Sequence, residues 1–255
     1  MNGEVEQMSR IVMCARKALH DNSEIDYLTE GYLLSIRFMF KPREKTIEKP
    51  VVCNSVGSWF QTCKKYDMED IKLFVPTAVD DRYILGFSNT TKGSIVCFWE
   101  DGTVTFFSPI WEFDRKKEGW NVLYQEQIWK DAPKGKPVFI NKTEEFKQVL
   151  SDIENLAIDI GFKNFADSFH KAYEALCDSS HLPDDWIPAY ISDDVKGIYY
   201  AVMTADQFGG MSSWNDCPSC EAETRGLGKL YDELSDKLLE QIRYNRMYIV
   251  NESWI

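Results

Sequence analysis

Residues 4–20 carry Val5, Met8, Val12, Ala15 and Leu19 at spacings of three and four, which predicts an amphipathic helix ending at His20-Asp21-Asn22. The period then changes. Leu34, Ile36, Phe38 and Phe40 alternate with Ser35, Arg37 and Met39, a strand closed by Pro42, and Lys41 to Pro50 reads as a charged loop or hairpin end. Val51-Val52-Cys53 returns as a short strand or opens a helix through Trp59 and Cys63. Between Ile71 and Phe107 four short runs rich in β-branched and aromatic residues predict sheet: Ile71 to Val75, Tyr83 to Phe87, Ser94 to Trp99 and Thr103 to Phe107. Glu100-Asp101-Gly102 joins the last two as a hairpin, with Asp-Gly suited to a type I′ turn. Pro109 to Pro137, with Trp111, Trp120, Trp129 and the basic cluster Arg115-Lys116-Lys117, reads as irregular or weakly helical.

From Asn141 the period becomes helical. Phe146, Val149, Leu150, Ile153, Leu156, Ala157 and Ile160 form one stripe, and after Gly161 the same offsets recur in Phe162, Phe165, Ala166, Phe169, Ala172, Tyr173 and Leu176. Asn141 with Glu144 predicts a capping arrangement, Gly161 a helix stop, and Asn164 the cap of the second helix. His181 to Pro188 is a proline-bounded loop. Val195 to Phe208 predicts a buried helix ended by Gly209-Gly210. A last helix from about Ala222 to Tyr248 carries the stripe Leu227, Leu230, Tyr231, Leu234, Leu238 and Ile242, with Asp232, Glu233, Asp236 and Glu240 as its exposed flank. The fold class is therefore α+β: one domain over residues 1–255, with a sheet-rich part over about 31–137 and a helical part over about 141–250. The sheet is expected to be antiparallel with a flanking helix, and the helical part to pack on it.

Composition narrows the function classes. With 255 residues, 44% of them hydrophobic, a sizeable core is within reach, and no apolar run approaches the roughly 20 residues of a membrane helix. An acidic N-terminus without a basic-then-apolar leader points to a cytoplasmic protein. Seven cysteines, an odd number scattered from Cys14 to Cys220, are expected to be reduced and mostly buried. The 41 acidic and 29 basic side chains give a net charge of −12, which opposes contact with nucleic acid or an anionic membrane and favours basic partners.

Candidate chemistry is sparse. Cys217-Pro218-Ser219-Cys220 has the CxxC spacing of a shared metal or a redox pair, but no second pair of ligands accompanies it, and a loop with reduced thiols is the expectation. His170 falls on the polar flank of a helix. Asp80-Asp81, Asp184-Asp185 and Asp193-Asp194 are adjacent carboxylates that diverge, and they read as caps and turns. Phosphate-binding loops, GxSxG and HExxH are missing. The sequence thus predicts no catalytic residue, no cofactor and no metal. An enzyme would need distant polar groups to converge, and a ligand-binding protein would use aromatic surfaces such as Trp99, Trp111 and Trp120.

One stretch is too specialised for a generic linker. In Phe208-Gly209-Gly210-Met211-Ser212-Ser213-Trp214-Asn215-Asp216 two glycines permit positive φ, Trp214 offers a large ring with one N–H, and Asn215 and Asp216 are good caps. It resembles the FGGMGSWND-like signature of bacterial proteins that look like immunity proteins encoded beside polymorphic or contact-dependent toxins, with Ser212 where that signature has glycine. The resemblance covers the C-terminal half. It implies a cytosolic inhibitor that binds a cognate toxin and performs no chemistry. The partner would present a basic surface, and the interface is expected on acidic helix flanks and on the loop from Asp206 to Glu221, with Asp206, Asp216, Glu221 and Glu223 as candidate contacts. The alternative for that loop is a buried connector with Trp214 packed inside.

Overall fold

The computed structural model describes residues 3–42, 50–85, 87–183, 187–188 and 191–253. These fall into two compact units, a sheet unit of Glu4–Phe74 and Lys92–Val138 and a helical unit built mainly of Val75–Thr91 and Phe139–Ile255. The fold is α+β.

In the sheet unit, helix α1 (Gly3–His20) is followed by strands β1 (Leu33–Met39) and β2 (Val52–Cys53), helix α2 (Val56–Lys65), and strands β3 (Met68–Phe74), β4 (Ser94–Trp99), β5 (Val104–Asp114) and β6 (Gly119–Ile128). The strands form one six-stranded sheet in the order β2-β1-β6-β5-β4-β3. β1 and β6 run parallel and the other pairs antiparallel, so the sheet is mixed and the expectation of an antiparallel sheet is corrected. Ile36 and Phe38 of β1, and Phe40 just after it, are buried as their alternation predicts, but Leu34 of the same row is 42% exposed. Phe38 stacks on Trp59 at 4.6 Å and on Tyr124 at 4.8 Å, and Phe107 meets Phe38, Phe40 and Trp59 edge-on. Val51 to Cys63 supplies both expected elements, β2 and then α2, because Ser55 and Ser58 close a reciprocal capping box.

Three further expectations for this unit need correction. Pro109 to Pro137 is not irregular: β5 continues to Asp114 and β6 returns to Ile128. At Pro109 β5 has a neighbour on one side only, the edge condition under which a residue without an N–H is tolerated. The basic cluster occupies the hairpin turn, where the backbone N–H groups of Lys116 and Lys117 donate to Asp114 Oδ1. Second, the Glu100-Asp101-Gly102 hairpin is not type I′, since Gly102 has φ +79 but Asp101 is not left-handed. Trp99 and Thr103 instead close a three-residue loop with glycine at its left-handed position. Third, the strand expected over Tyr83 to Phe87 belongs to the helical unit, and its described residues are not a strand; Gly86 lies outside the described residues. A 3-10 turn spans Arg82–Ile84, and successive i to i+3 bonds satisfy its backbone locally, so no sheet edge is required. Of the loop expected over Lys41 to Pro50, residues 43–49 lie outside the described residues.

The helical unit contains α3 (Thr143–Asp159), α4 (Lys163–Cys177), α5 (Lys196–Ala205), α6 (Cys217–Thr224) and α7 (Gly228–Glu252). The twin stripes of α3 and α4 are buried as predicted at Phe146, Leu150, Ile153, Phe165, Ala166 and Phe169. Gly161 (φ +85) ends α3 with Phe162 N–H donating to the Ala157 carbonyl. The predicted caps differ. Asn141 Oδ1 accepts from Thr143 N–H one residue before the N-cap, Glu144 bonds Lys147 instead of the helix start, and Asn164 lies inside α4. α5 stops at Ala205, before the two glycines. The single helix expected from Ala222 to Tyr248 is two, because Gly226 (φ +72) turns the chain out of α6 before α7 begins. Tyr231, Leu234, Leu238 and Ile242 still form a buried face, while Leu230 points outward. Of the loop expected over His181 to Pro188, residues 184–186 lie outside the described residues, and Asp184-Asp185 with them. Among the described residues, no helix is long and apolar enough to cross a membrane.

Candidate functional site

The glycine-rich loop lies between α5 and α6, and its tryptophan is the centre of the helical core. Trp214 is 0% exposed, its ring meets Phe165, Phe169 and Tyr231 at 5.2–5.4 Å, and its Nε1–H donates to Ser235 Oγ at 2.8 Å. Tyr231 in turn donates its hydroxyl to the Trp214 carbonyl. The indole N–H and the carbonyl are thereby both satisfied away from water, which a buried tryptophan requires. The connector alternative therefore describes Trp214. The left-handed residue of the loop is Ser212 (φ +64), and Gly209 is not in that region. Ser212 holds the conformation because its N–H donates to Asp216 Oδ2 at 2.9 Å. The position at which the resembling signature has glycine is thus the position that favours glycine.

Asn215 reaches out of the loop to the 3-10 turn. There Arg82, with 1% of its side chain exposed, donates from Nε to Asp236 Oδ1 at 2.6 Å and from Nη2 to Asp232 Oδ1 at 2.8 Å. Asp232 and Asp236 are one turn apart on α7 and each about half-exposed, so they face the arginine on one side and solvent on the other. Burial works against ionisation of Asp232, but the Tyr83 hydroxyl at 2.6 Å and the Arg82 guanidinium hold its carboxyl below the ordinary carboxylate range. Arg243 fixes the same segment from the other end, with Nη2 on both oxygens of Asp81 at 2.8 Å and Nη1 on the carbonyls of Pro76 and Ala78.

The four candidate contacts are distributed unevenly. Asp216, Glu221 and Glu223 lie at the start and along the face of α6, where Asp216 and Glu223 are exposed and Glu221 accepts from Arg225 Nε at 2.6 Å. The Asp206 carboxylate is turned inward, 9% exposed and 4.0 Å from Arg246, so its charge is already engaged within the unit. Sequence reasoning missed Arg82, Asp232 and Asp236 as a cluster. The available signal was Arg82 itself, a lone cation at the head of the apolar run Tyr83-Ile84-Leu85, together with two acids spaced i, i+4 on the last helix.

The remaining candidate groups do not converge on this site. Cys217 and Cys220 are exposed and free, but they open α6 and do not sit on a loop. All seven cysteines are free; only Cys53, Cys63 and Cys97 are fully buried, so the expectation of mostly buried thiols is corrected. His170 is on the exposed flank of α4 between Glu154 at 3.1 Å and Glu174 at 3.4 Å. Asp193 pairs with Lys196, and Asp81 with Arg243, both structural roles. Among the described residues, no group of three or more His, Cys, Asp or Glu side chains is placed to hold a metal ion.

Charge separates the two units. The helical unit carries 23 acidic and 11 basic side chains, a net of −12, and the sheet unit 18 of each, so the whole formal charge belongs to the unit that holds the loop. Compared with protein-family models, with curated proteins and with solved structures, the chain matches none.

Proposed function

We propose that the chain is a non-catalytic protein-binding module of the cytosol, an immunity protein that neutralises a cognate toxin by occupying its basic surface. The observation that carries this reading is the concentration of the entire net charge of −12 in the helical unit. A neutral sheet unit and so acidic a helical one are not what a general solubility requirement would produce, since that would spread charge over both. An acidic surface accelerates encounter with a basic protein and repels nucleic acid. The same unit contains the loop that resembles the immunity-protein signature.

Co-expression with the product of the neighbouring gene tests the reading. Neutralised toxicity is the expected result, and inhibition should weaken as salt is raised. A neighbour that is harmless, or whose toxicity this chain leaves unchanged, overturns it.

A second reading, binding of a small ligand, has one observation in its favour. A cavity of about 530 Å³ at one end of the sheet is lined by Trp99, Trp129, Lys130 and Lys134. A thermal-shift screen with anionic aromatic ligands should show stabilisation if that reading holds, and a blank screen counts against it.

A further inference from the structure

Three of the four described apolar side chains from Tyr83 to Phe87 point to solvent, Leu85 being the half-buried exception. Tyr83, Ile84 and Phe87 are all exposed, Phe87 by 70%. Met211, 94% exposed, stands four residues before Asn215, whose amide bonds the Arg82 backbone. Single exposed apolar residues are ordinary on any protein surface. These are different in being held on a fixed base. Arg82 beneath them is locked by Asp232, Asp236 and Asn215, its guanidinium lies 4.2 Å from the Tyr83 ring, and the Tyr83 hydroxyl bonds Asp232. The segment buries its cation and exposes its rings, the reverse of what solubility alone would select.

We infer that Tyr83, Ile84 and Phe87, with Met211, form the apolar anchor of a partner interface, and that Asp232 and Asp236 supply part of its acidic rim. The occupant is a basic protein surface with an apolar recess. Interfaces concentrate their affinity in a few aromatic and large apolar side chains surrounded by a polar ring. Here the anchor is preorganised, so little ordering entropy opposes docking. Charge complementarity selects the occupant, because a second copy of this chain would bring carboxylates against carboxylates. This inference rests on the reading of the chain as a toxin-neutralising protein and adds where the contact is made.

The test measures affinity for the neighbouring gene's product by calorimetry, using full-length protein with Phe87→Ala, Ile84→Ala and, as a control on α3, the exposed Ile158→Ala. Thermal unfolding of each variant should stay at the wild-type value, since all three side chains are exposed. Phe87→Ala should weaken binding roughly 10-fold or more, Ile84→Ala severalfold, and Ile158→Ala less than about twofold. Binding by wild type that Phe87→Ala leaves within about twofold overturns the anchor while the immunity reading stands. Failure of wild type to bind overturns both. A dimer of wild type that Phe87→Ala converts to monomer assigns the patch to a second copy and overturns the basic partner.

Discussion

Asn215 grips Arg82 from both ends of that residue. Its Nδ2 donates to the Arg82 carbonyl at 2.7 Å, and its Oδ1 accepts from the guanidinium Nη1 at 3.3 Å. One side chain therefore ties the glycine-rich loop to the segment that carries the exposed rings. Asn215→Ala would leave the Arg82 carbonyl and one guanidinium hydrogen without these partners, at a cost of about 1–3 kcal/mol. Urea denaturation measures it, and a loss below about 0.5 kcal/mol would show that the grip is dispensable.

The stripes of α1, α3, α4 and α7 were legible because a 3.6-residue period over four or more turns leaves little room for another structure. The hairpin of β5 and β6 was not, although Phe107, Trp111, Val122 and Tyr124 do alternate inward, because Pro109 and a turn of three cations interrupt the signal. Tyr83 to Phe87 failed in the opposite sense. Its composition is that of a strand, but its backbone closes on i to i+3 bonds, and Arg82 at its head pairs with acids 150 and 154 residues away. The same long-range pairing hid the candidate site. Asp232 and Asp236 read as an ordinary solvated helix flank, and only the fold shows which cation they face.

Arg243 and Asp81 are both buried, with 7% and 6% of their side chains exposed. Arg243→Met would strand the Asp81 carboxylate and unsatisfy two backbone carbonyls, for a loss of about 3–5 kcal/mol. Adding Asp81→Asn should recover part of that loss, because the uncompensated charge is then gone. Equal stability of the single and double variants would show that the charge is not what costs the energy.

Ser212 sits at φ +64 where Gly209 does not need a left-handed backbone. Ser212→Gly should stabilise the protein by up to about 1 kcal/mol, the relief of strain being partly offset by the greater freedom of glycine in the unfolded chain. At Gly209 an added methyl would meet Ser213 Cβ at an ordinary 3.6 Å, so Gly209→Ala should change stability by less than about 0.5 kcal/mol. Thermal denaturation of the two variants side by side decides the matter. The reverse order of effects would mean that the loop takes its shape from the glycines.

Thiol reactivity should sort the cysteines by position. Cys177, Cys217 and Cys220 are exposed and should titrate with a thiol reagent in the native protein. Burial pushes the Cys14 thiol up to about 11 and the Cys63 thiol well above its ordinary value, so these should react only slowly at neutral pH. Cys53 and Cys97, fully buried, should appear after denaturation. More than three fast thiols would contradict the packing of the sheet unit. A full equivalent of zinc in purified protein would contradict the reading of Cys217 and Cys220 as unligated.

His170 gives the helical unit a pH-dependent contact between α3 and α4. A hydrogen bond with Glu154 is the main cause that raises its pKa above the ordinary histidine value, opposed by slight burial and reinforced by the charges of Glu154 and Glu174. A histidine whose pKa is higher in the folded state contributes stability that is fully present below its unfolded pKa of about 6.5 and disappears as pH rises through the raised value. The side chain is 51% exposed, so the contribution is screened and should shrink further in salt. Wild type should therefore exceed His170→Gln in melting temperature at pH 5.5 and lose that margin by pH 8.5, with a smaller change at high ionic strength. A margin that is constant across this range, or that grows toward pH 8.5, would mean that Glu154 holds the histidine by packing and not by charge.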